Sequence, residues 1–130
     1  MYSTISTLEL GLMKESINLD QIRSIVVDID GTICLTEGSN YQNSIPILER
    51  IAKINKLHER GIKIVFFTAR GMGSTNNNSI EAIEKWYEFT NKQLISWGVK
   101  FDRLYLGKIS GDLYVDDKGS EADVFFESLV

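Results

Sequence analysis

Three residue types that constrain a fold strongly are almost missing from this sequence. Its 130 residues include one cysteine, Cys34, one proline, Pro46, and one histidine, His58. A single cysteine excludes an intramolecular disulfide and favours a reducing compartment. His58 lies on the apolar side of a predicted helix, near the C-terminal end of that helix. We expect it to pack or to cap the helix rather than to bind a metal.

Long apolar runs and clusters of positive charge are also absent. No apolar run approaches the roughly 20 residues that span a bilayer, and the N-terminus lacks the basic and apolar segments of a secretory signal. The 14 basic and 18 acidic side chains give a net charge of −4. Without a basic cluster, a nucleic-acid surface is not indicated. We therefore expect a cytoplasmic protein with neither a membrane nor a nucleic acid as its partner.

The composition is that of a small soluble domain, with 43% hydrophobic and 25% charged residues. Residues 1–20 are interpreted as an N-terminal extension in which Leu8 and Leu12 share one face of a short helix. Residues 21–130 are interpreted as one α/β domain. The length is sufficient to bury a core of ordinary size.

Apolar runs alternate with amphipathic segments along this domain, which predicts a layered α/β fold with a parallel sheet. The first run, at 25–29, is interpreted as a strand buried on both faces. Pro46 is placed in the first turn of the first helix. The predicted strands are 25–29, 62–67, 103–106 and 113–115, and the predicted helices are 44–61, 79–97 and 120–129. The apolar stripe of the second helix is assigned to Ile80, Ile83, Tyr87, Leu94 and Trp97.

Each predicted strand ends in a reactive or phosphate-binding side chain. These residues are Asp28 and Asp30, Thr68, Lys108, and the pair Asp116 and Asp117. Ligands bind at the carboxyl ends of the strands in open parallel sheets, so we expect the four ends to form one site. Clustered carboxylates repel each other unless a cation lies among them, and an all-oxygen donor set favours Mg²⁺.

The order of these motifs, with DIDGT first and Asp-Asp last, resembles the haloacid dehalogenase (HAD) superfamily of phosphatases. The resemblance covers residues ~24–119. The runs FFTARGM and YVDDKG are similar to the small HAD phosphatases associated with capsule and surface-polysaccharide biosynthesis. This resemblance implies a three-layer, Rossmann-like parallel sheet with helices on both faces and no large cap domain.

The resemblance also implies a role for each motif. Asp28 would be the nucleophile and a Mg²⁺ ligand, forming an aspartyl-phosphate intermediate. Asp30 would be the general acid and base, and its backbone carbonyl would bind Mg²⁺. Thr68 and Lys108 would hold the phosphoryl oxygens of a small phosphorylated metabolite, for which sugar phosphates and capsule precursors are candidates.

The remaining site residues have more than one interpretation. Asp117 is the first choice for direct metal ligation and Asp116 for a water-mediated role, although the two could be exchanged and an Asx turn would also explain the pair. Gly31 allows the chain to turn after the first motif, and Thr32 fixes that turn. Arg70 either reaches a substrate phosphate or carboxylate or forms a surface ion pair.

Three other functions use similar residues. A phosphotransferase or mutase shares the intermediate, but only ~13 residues separate the first motif from the next helix, too few for a cap that excludes water. A phospho-accepting receiver domain carries its acidic pair on the first strand, whereas this sequence has Asp-x-Asp first and Asp-Asp last. A non-catalytic binding module in a biosynthetic assembly would not need the complete set of motifs. An open, capless site also leaves room for a larger substrate or for a neighbouring subunit of a homo-oligomer.

Overall fold

The computed structural model describes residues 18–129, so the helix predicted around Leu8 and Leu12 lies outside the described residues. The chain forms five strands and three α-helices in this range, with two short 3-10 helices at Leu19–Gln21 and Tyr41–Asn43. In chain order the elements are β1 (Ser24–Val27), β2 (Cys34–Leu35), β3 (Ile45–Pro46), α1 (Leu48–Glu59), β4 (Lys63–Thr68), α2 (Ser79–Ser96), β5 (Arg103–Leu106) and α3 (Ala122–Ser128).

The central sheet has three parallel strands in the order β1-β4-β5. Val26 pairs with Val65, and Phe66 pairs with Leu104, so β4 lies between the other two strands. Helices α1 and α2 make the crossovers, as parallel neighbours require. The α/β class and the parallel sheet predicted from the alternating pattern are confirmed.

The apolar core lies against one face of this sheet. Alternate strand residues point into it because successive side chains of a strand face opposite sides. All three helices contribute to the same cluster, and each apolar side chain that it buries fully stabilises the fold by about 1.5–3 kcal/mol. Its members include Val27, Ile64, Phe66, Leu104, Leu106, Ile51, Ile54, Leu57, Leu94 and Phe126.

The opposite face of the sheet is open over the part of the chain that the structure describes. Val26 on β1 is 63% exposed and Tyr105 on β5 is 54% exposed. The interpretation of the first strand as buried on both faces is therefore wrong. The helical layer expected over this second face is not among the elements of residues 18–129.

The predicted fourth strand is not formed. Residues 113–115 belong to no strand, and Leu113 and Val115 are 80% and 87% exposed. Strand β1 pairs with β4 alone, so its outer edge has no partner in the described sheet. The alternation of apolar residues in this segment was a weak signal, because three residues make few contacts without a neighbouring strand.

Two helix predictions also need correction. Pro46 lies in β3, which pairs with β2 as a small antiparallel hairpin, and α1 begins only at Leu48. Helix α2 buries Ala82, Thr90 and Leu94, whereas Ile80 is 69% exposed. The predicted stripe is therefore right at Leu94, which is buried, and at Trp97, which packs against the core. It is wrong at the exposed residues Ile80, Ile83 and Tyr87. None of the helices within residues 18–129 has the length and apolar character needed to cross a membrane.

Candidate active site

A cavity of about 240 Å³ lies at the carboxyl ends of the three parallel strands. Asp28 follows β1, Thr68 ends β4, and Lys108 follows β5 by two residues. Because the strands are parallel, their ends meet at one edge of the sheet. The structure thus brings together residues from three of the four predicted motifs. The lining residues are Asp28, Asp30, Gly38, Tyr41, Thr68, Ala69, Arg70, Lys108 and Tyr114.

Asp28 is held from two sides. The Thr32 hydroxyl donates a hydrogen bond to Asp28 Oδ2 at 3.1 Å, and Lys108 Nζ lies 3.5 Å from Asp28 Oδ1. Gly31 turns the chain between them with a φ of 80°, a conformation that glycine adopts without steric cost. Thr32 therefore orients the carboxylate as well as occupying the turn, a role that goes beyond the one predicted for it.

Lys108 is positioned by the segment that follows β5. Its ammonium lies 4.5 Å from the centre of the Tyr114 ring, a distance at which a cation is attracted to the ring face. The Tyr114 hydroxyl donates to the carbonyl of Ile109 at 2.6 Å and accepts from the N–H of Gly111. The tyrosine thus holds Lys108 against Asp28 at the mouth of the cavity.

Thr68 is buried at the base of the cavity, with 1% of its surface exposed. Its hydroxyl oxygen accepts a hydrogen bond from the backbone N–H of Arg70 at 3.1 Å. An oxygen that accepts in this way still has its own proton to donate. The geometry suits a donor to an anion in the cavity.

Asp30 is paired with Arg70 rather than being free in the cavity. Arg70 Nε and Nη2 each lie 3.0 Å from one oxygen of the carboxylate, which makes the pair bidentate. The Thr36 hydroxyl also donates to Asp30 Oδ1 at 2.6 Å. Since Thr36 gives its proton to Asp30, the Ser44 hydroxyl must be the donor in its 2.6 Å contact with Thr36.

The guanidinium of Arg70 has no exposed surface. The prediction that Arg70 reaches a substrate directly therefore does not fit this structure, and neither does a surface ion pair. Removing one partner of a buried ion pair costs about 3–5 kcal/mol, because the other charge is left uncompensated. Arg70 is a structural neighbour of Asp30.

Cys34 lies beside the same carboxylate. Its thiol is buried, 3.5 Å from Asp30 Oδ1. Burial raises the pKa of this thiol above its usual value, and the Asp30 charge acts in the same direction. A protonated, buried thiol is a poor nucleophile, so Cys34 acts as a small packing residue beside Asp30.

The fourth motif is not part of the cavity. Asp116 Oδ1 accepts hydrogen bonds from the backbone N–H groups of Lys118 and Gly119, which is the Asx turn considered as an alternative. Asp117 is exposed on the same segment. Among residues 18–129 no three His, Cys, Asp or Glu side chains lie close enough together to hold a metal ion. The predicted set of four carboxylates is thus not assembled, because the fourth strand that would carry two of them is not formed.

The donor set of the cavity fits Mg²⁺ only together with a phosphate. Magnesium is commonly held by one or two carboxylates plus substrate phosphates and water. Asp28 can supply such a carboxylate, whereas both oxygens of Asp30 already accept hydrogen bonds from Arg70. The side chains of Asp28 and Asp30 are paired with Lys108 and Arg70, so the remaining Mg²⁺ ligands would be phosphate oxygens, water and the backbone carbonyl predicted for Asp30.

Several residues of the site were not predicted from the sequence. Tyr41 packs its ring 4.8 Å from the Arg70 guanidinium, and its hydroxyl accepts from the N–H of Gly71. Thr90 and Gln93 on α2 accept hydrogen bonds from Arg70 Nη1. The sequence did contain a signal for this pair. Thr90 and Gln93 are polar and three positions apart in a predicted helix, so they lie on the same face and can bind one group together.

Comparisons with known proteins support the fold and leave the chemistry open. No family model matches the chain, and no curated protein matches it. A solved structure described as an MCSG target from Vibrio cholerae is similar, with a TM-score of 0.74 and 27% sequence identity. The match covers 81% of this chain and 88% of that one. The chain thus shares its small Rossmann-like α/β fold with a solved protein whose name states no function.

Proposed function

We propose that the protein is a Mg²⁺-dependent phosphomonoesterase that acts on a small phosphorylated metabolite. One observation carries this proposal: Asp28 lies in a shared cavity with Thr68 and Lys108, at the ends of three parallel strands. A carboxylate, a buried hydroxyl and an ammonium group suit a nucleophile and two contacts to phosphoryl oxygens. The resemblance of DIDGT and the later motifs to HAD phosphatases supports the same chemistry.

The reaction has two steps. An oxygen of Asp28 attacks phosphorus, the bond to the leaving oxygen breaks, and Asp30 protonates that oxygen. Water then attacks the phosphorus of the aspartyl phosphate, and Asp30 accepts a proton from that water. The bond between Asp28 and phosphorus breaks, which releases inorganic phosphate and restores the Asp28 carboxylate. Lys108 and Thr68 stabilise the negative charge on the transferring group throughout, because both face the cavity as donors. When bound, Mg²⁺ supplies further charge stabilisation, and Asp28 would hold it.

Hydrolysis is favoured over transfer to another acceptor. The only insertion between β1 and α1 is the short β2-β3 hairpin with its 3-10 helix. The side chains of Asp28 and Lys108 in the cavity remain 33% and 21% exposed. Water therefore has access to the site. A transferase must exclude water from its intermediate, and nothing in the described insertion is large enough to do so.

The substrate class is proposed from the size of the cavity and from the resemblance. A volume of about 240 Å³ lies below the 300–1,000 Å³ of typical ligand pockets, so the site encloses a phosphoryl group and leaves its carrier partly outside. Sugar phosphates and capsule precursors are the first candidates, because the sequence resembles capless phosphatases of polysaccharide biosynthesis. With a single buried thiol and no disulfide, we place the enzyme in the cytoplasm.

Phosphate release from 4-nitrophenyl phosphate tests the proposal. We expect release that requires Mg²⁺, stops with a chelator, and falls by about 10³-fold or more in Asp28→Asn, because the nucleophile is lost. Asp20→Asn is the matched control, since Asp20 is exposed and the ion pair that it forms in the described part of the chain is with Arg60, at 3.6 Å. Unchanged turnover in Asp28→Asn would contradict the mechanism. A panel of phosphorylated metabolites then identifies the substrate.

A further inference from the structure

Arg70 makes several contacts in addition to its buried ion pair with Asp30. Besides its two contacts with Asp30, its Nη1 donates to Gln93 Oε1 at 2.7 Å and to Thr90 Oγ1 at 3.3 Å. The guanidinium also lies 4.8 Å from the centre of the Tyr41 ring. Helix α2 and the segment around Tyr41 thus fix the guanidinium in one place. Within residues 18–129, Asp30 is the only carboxylate that the guanidinium contacts.

These anchors are themselves connected. Gln93 Nε2 donates to the backbone carbonyl of Tyr41 at 2.8 Å, while Gln93 Oε1 accepts from Arg70. The amide is therefore satisfied on both sides and has one orientation. A guanidinium held in this way aligns the plane of the carboxylate that it pairs with, because the two bonds of a bidentate pair are parallel.

The two oxygens of Asp30 are not equivalent in this arrangement. Oδ1 lies within reach of three donors, which are Thr36, Arg70 Nη2 and the Cys34 thiol. Among the described residues, the only donor to Oδ2 is Arg70 Nε. Since a carboxylate oxygen has two acceptor sites, Oδ1 is saturated and Oδ2 retains a free one.

We infer that Arg70, anchored by Gln93 and Thr90, is a positioning residue that orients Asp30 so that Oδ2 exchanges the proton with the leaving oxygen. This inference rests on the proposed phosphatase function. In its protonated form, Asp30 gives the proton on Oδ2 to the leaving oxygen as the P–O bond breaks, and so becomes the carboxylate that pairs with Arg70. In the second step Oδ2 takes a proton from the attacking water, which restores the protonated form. Arg70 does not contact the substrate.

A comparison of two leaving groups tests this role. A general acid contributes about 10²–10⁴-fold when the leaving oxygen is strongly basic, as in glycerol phosphate, and little when it is weakly basic, as in 4-nitrophenyl phosphate. The constant kcat/KM reports the first irreversible step, in which the leaving group departs. A variant that misplaces Asp30 therefore loses kcat/KM on the alkyl ester selectively.

The first variant is Arg70→Lys, which keeps the charge but cannot form the bidentate pair. We expect kcat/KM to fall roughly 100-fold on glycerol phosphate and less than about 3-fold on 4-nitrophenyl phosphate. Arg60→Lys is the control, because the side chain of Arg60 is half exposed and its ion pair within the described range is with Asp20. In the background of Asp30→Asn, Arg70→Lys should cause no further loss, since both act on one group.

The second variant, Gln93→Met, preserves shape and leaves the ion pair in place. It removes one anchor of Arg70, so we expect a smaller loss with the same selectivity for the alkyl ester. This variant keeps the inference testable if Arg70→Lys does not fold.

The outcomes separate the two proposals. Equal losses on both esters, in a wild-type enzyme that hydrolyses them, would overturn the role of Arg70 and leave the phosphatase function standing. Independent, multiplicative losses from Asp30→Asn and Arg70→Lys would do the same. A wild-type protein that hydrolyses neither ester with Mg²⁺ present would overturn the phosphatase function and the inference together.

Discussion

At the scale of single residues, the site depends on pairs of opposite charge at different depths. Asp28 and Lys108 meet at the mouth of the cavity, with side chains that are 33% and 21% exposed. Asp30 and Arg70 meet below, where the guanidinium has no contact with solvent. The outer pair is thus placed to contact a ligand, whereas in the inner pair the buried guanidinium of Arg70 fixes the orientation of the Asp30 carboxylate.

Cys34 provides a probe of the inner pair, because it is the only cysteine in the chain. We predict that a thiol reagent such as DTNB modifies the native protein at least ~100-fold more slowly than the unfolded protein, since burial limits access and raises the pKa of the thiol. The rate of colour development in buffer and in denaturant gives the two values. Equal rates would mean that the hairpin opens readily beside Asp30.

The raised pKa of Cys34 also predicts how the stability of the protein changes with pH. A thiol whose pKa is raised in the folded protein contributes stability that is present below its unfolded value of 9.0 and is lost as the pH rises above it. Denaturant titrations near pH 8 and pH 10 should therefore show a loss in the wild-type protein that is smaller in Cys34→Ala.

At the scale of elements, the turn between β4 and α2 controls how Arg70 enters the site. Gly71 follows Arg70 with a φ of 78°, and a Cβ there would lie 2.6 Å from Trp86 Cδ1 and 3.2 Å from Ala82. The close approach of this turn to α2 therefore requires glycine. The same approach brings Arg70 within reach of Thr90 and Gln93.

Replacement of Gly71 by alanine should destabilise the protein by about 2–4 kcal/mol, because steric overlap adds to backbone strain. Urea denaturation monitored by circular dichroism measures the change. Gly73→Ala is the matched control: its φ is not positive and no atom lies within 4 Å of the added Cβ, so we expect a change within about 0.5 kcal/mol. Similar losses in both variants would argue against the packed turn.

The segment after β5 is the element on which sequence and structure disagree. Residues 113–115 lie outside the sheet, so their amides should exchange with solvent as fast as those of an open loop, while the amides of Ile64 and Phe66 in β4 exchange slowly. Hydrogen–deuterium exchange read by mass spectrometry tests this. Slow exchange in the protein alone would contradict the structure and restore the predicted fourth strand. Protection that develops only with Mg²⁺ and phosphate would place the segment on the open edge of β1, as ligation by Asp117 requires.

At the scale of the whole molecule, charge balance couples the proposed ligands. Among the described residues, four side chains that line the cavity are charged when both carboxylates are ionised: Asp28, Asp30, Lys108 and Arg70. Their charges then sum to zero. Either Mg²⁺ or a phosphate dianion alone would leave an excess of two charges in a partly enclosed site. Both together restore neutrality, so each should strengthen the binding of the other.

We therefore predict that Mg²⁺ and inorganic phosphate together raise Tm by more than the sum of their separate effects. A tenfold gain in affinity corresponds to about 1.4 kcal/mol, or several degrees in a protein of this size. Differential scanning fluorimetry measures the shifts. Asp28→Asn should lose the synergy and Asp20→Asn should keep it. Strictly additive shifts in the wild-type protein would count against a shared metal and phosphate site.

The sequence by itself was enough to predict the parallel sheet and the edge at which Asp28, Thr68 and Lys108 meet. These features follow from local patterns: apolar runs form strands, alternation with helices makes neighbouring strands parallel, and parallel strands end on one side. The residue that ends each strand is therefore placed near the others without knowledge of any contact between them.

Only the tertiary structure showed that Arg70 is buried against Asp30. It also showed that the second face of the described sheet is open and that Asp116 and Asp117 lie outside the cavity. Thr90 and Gln93 lie 20 and 23 positions beyond Arg70, and their contact depends on how closely α2 packs against Gly71. Likewise, whether residues 113–115 form a strand depends on pairing with β1, almost 90 positions earlier. Such contacts are set by packing between distant segments, for which a local pattern carries no information.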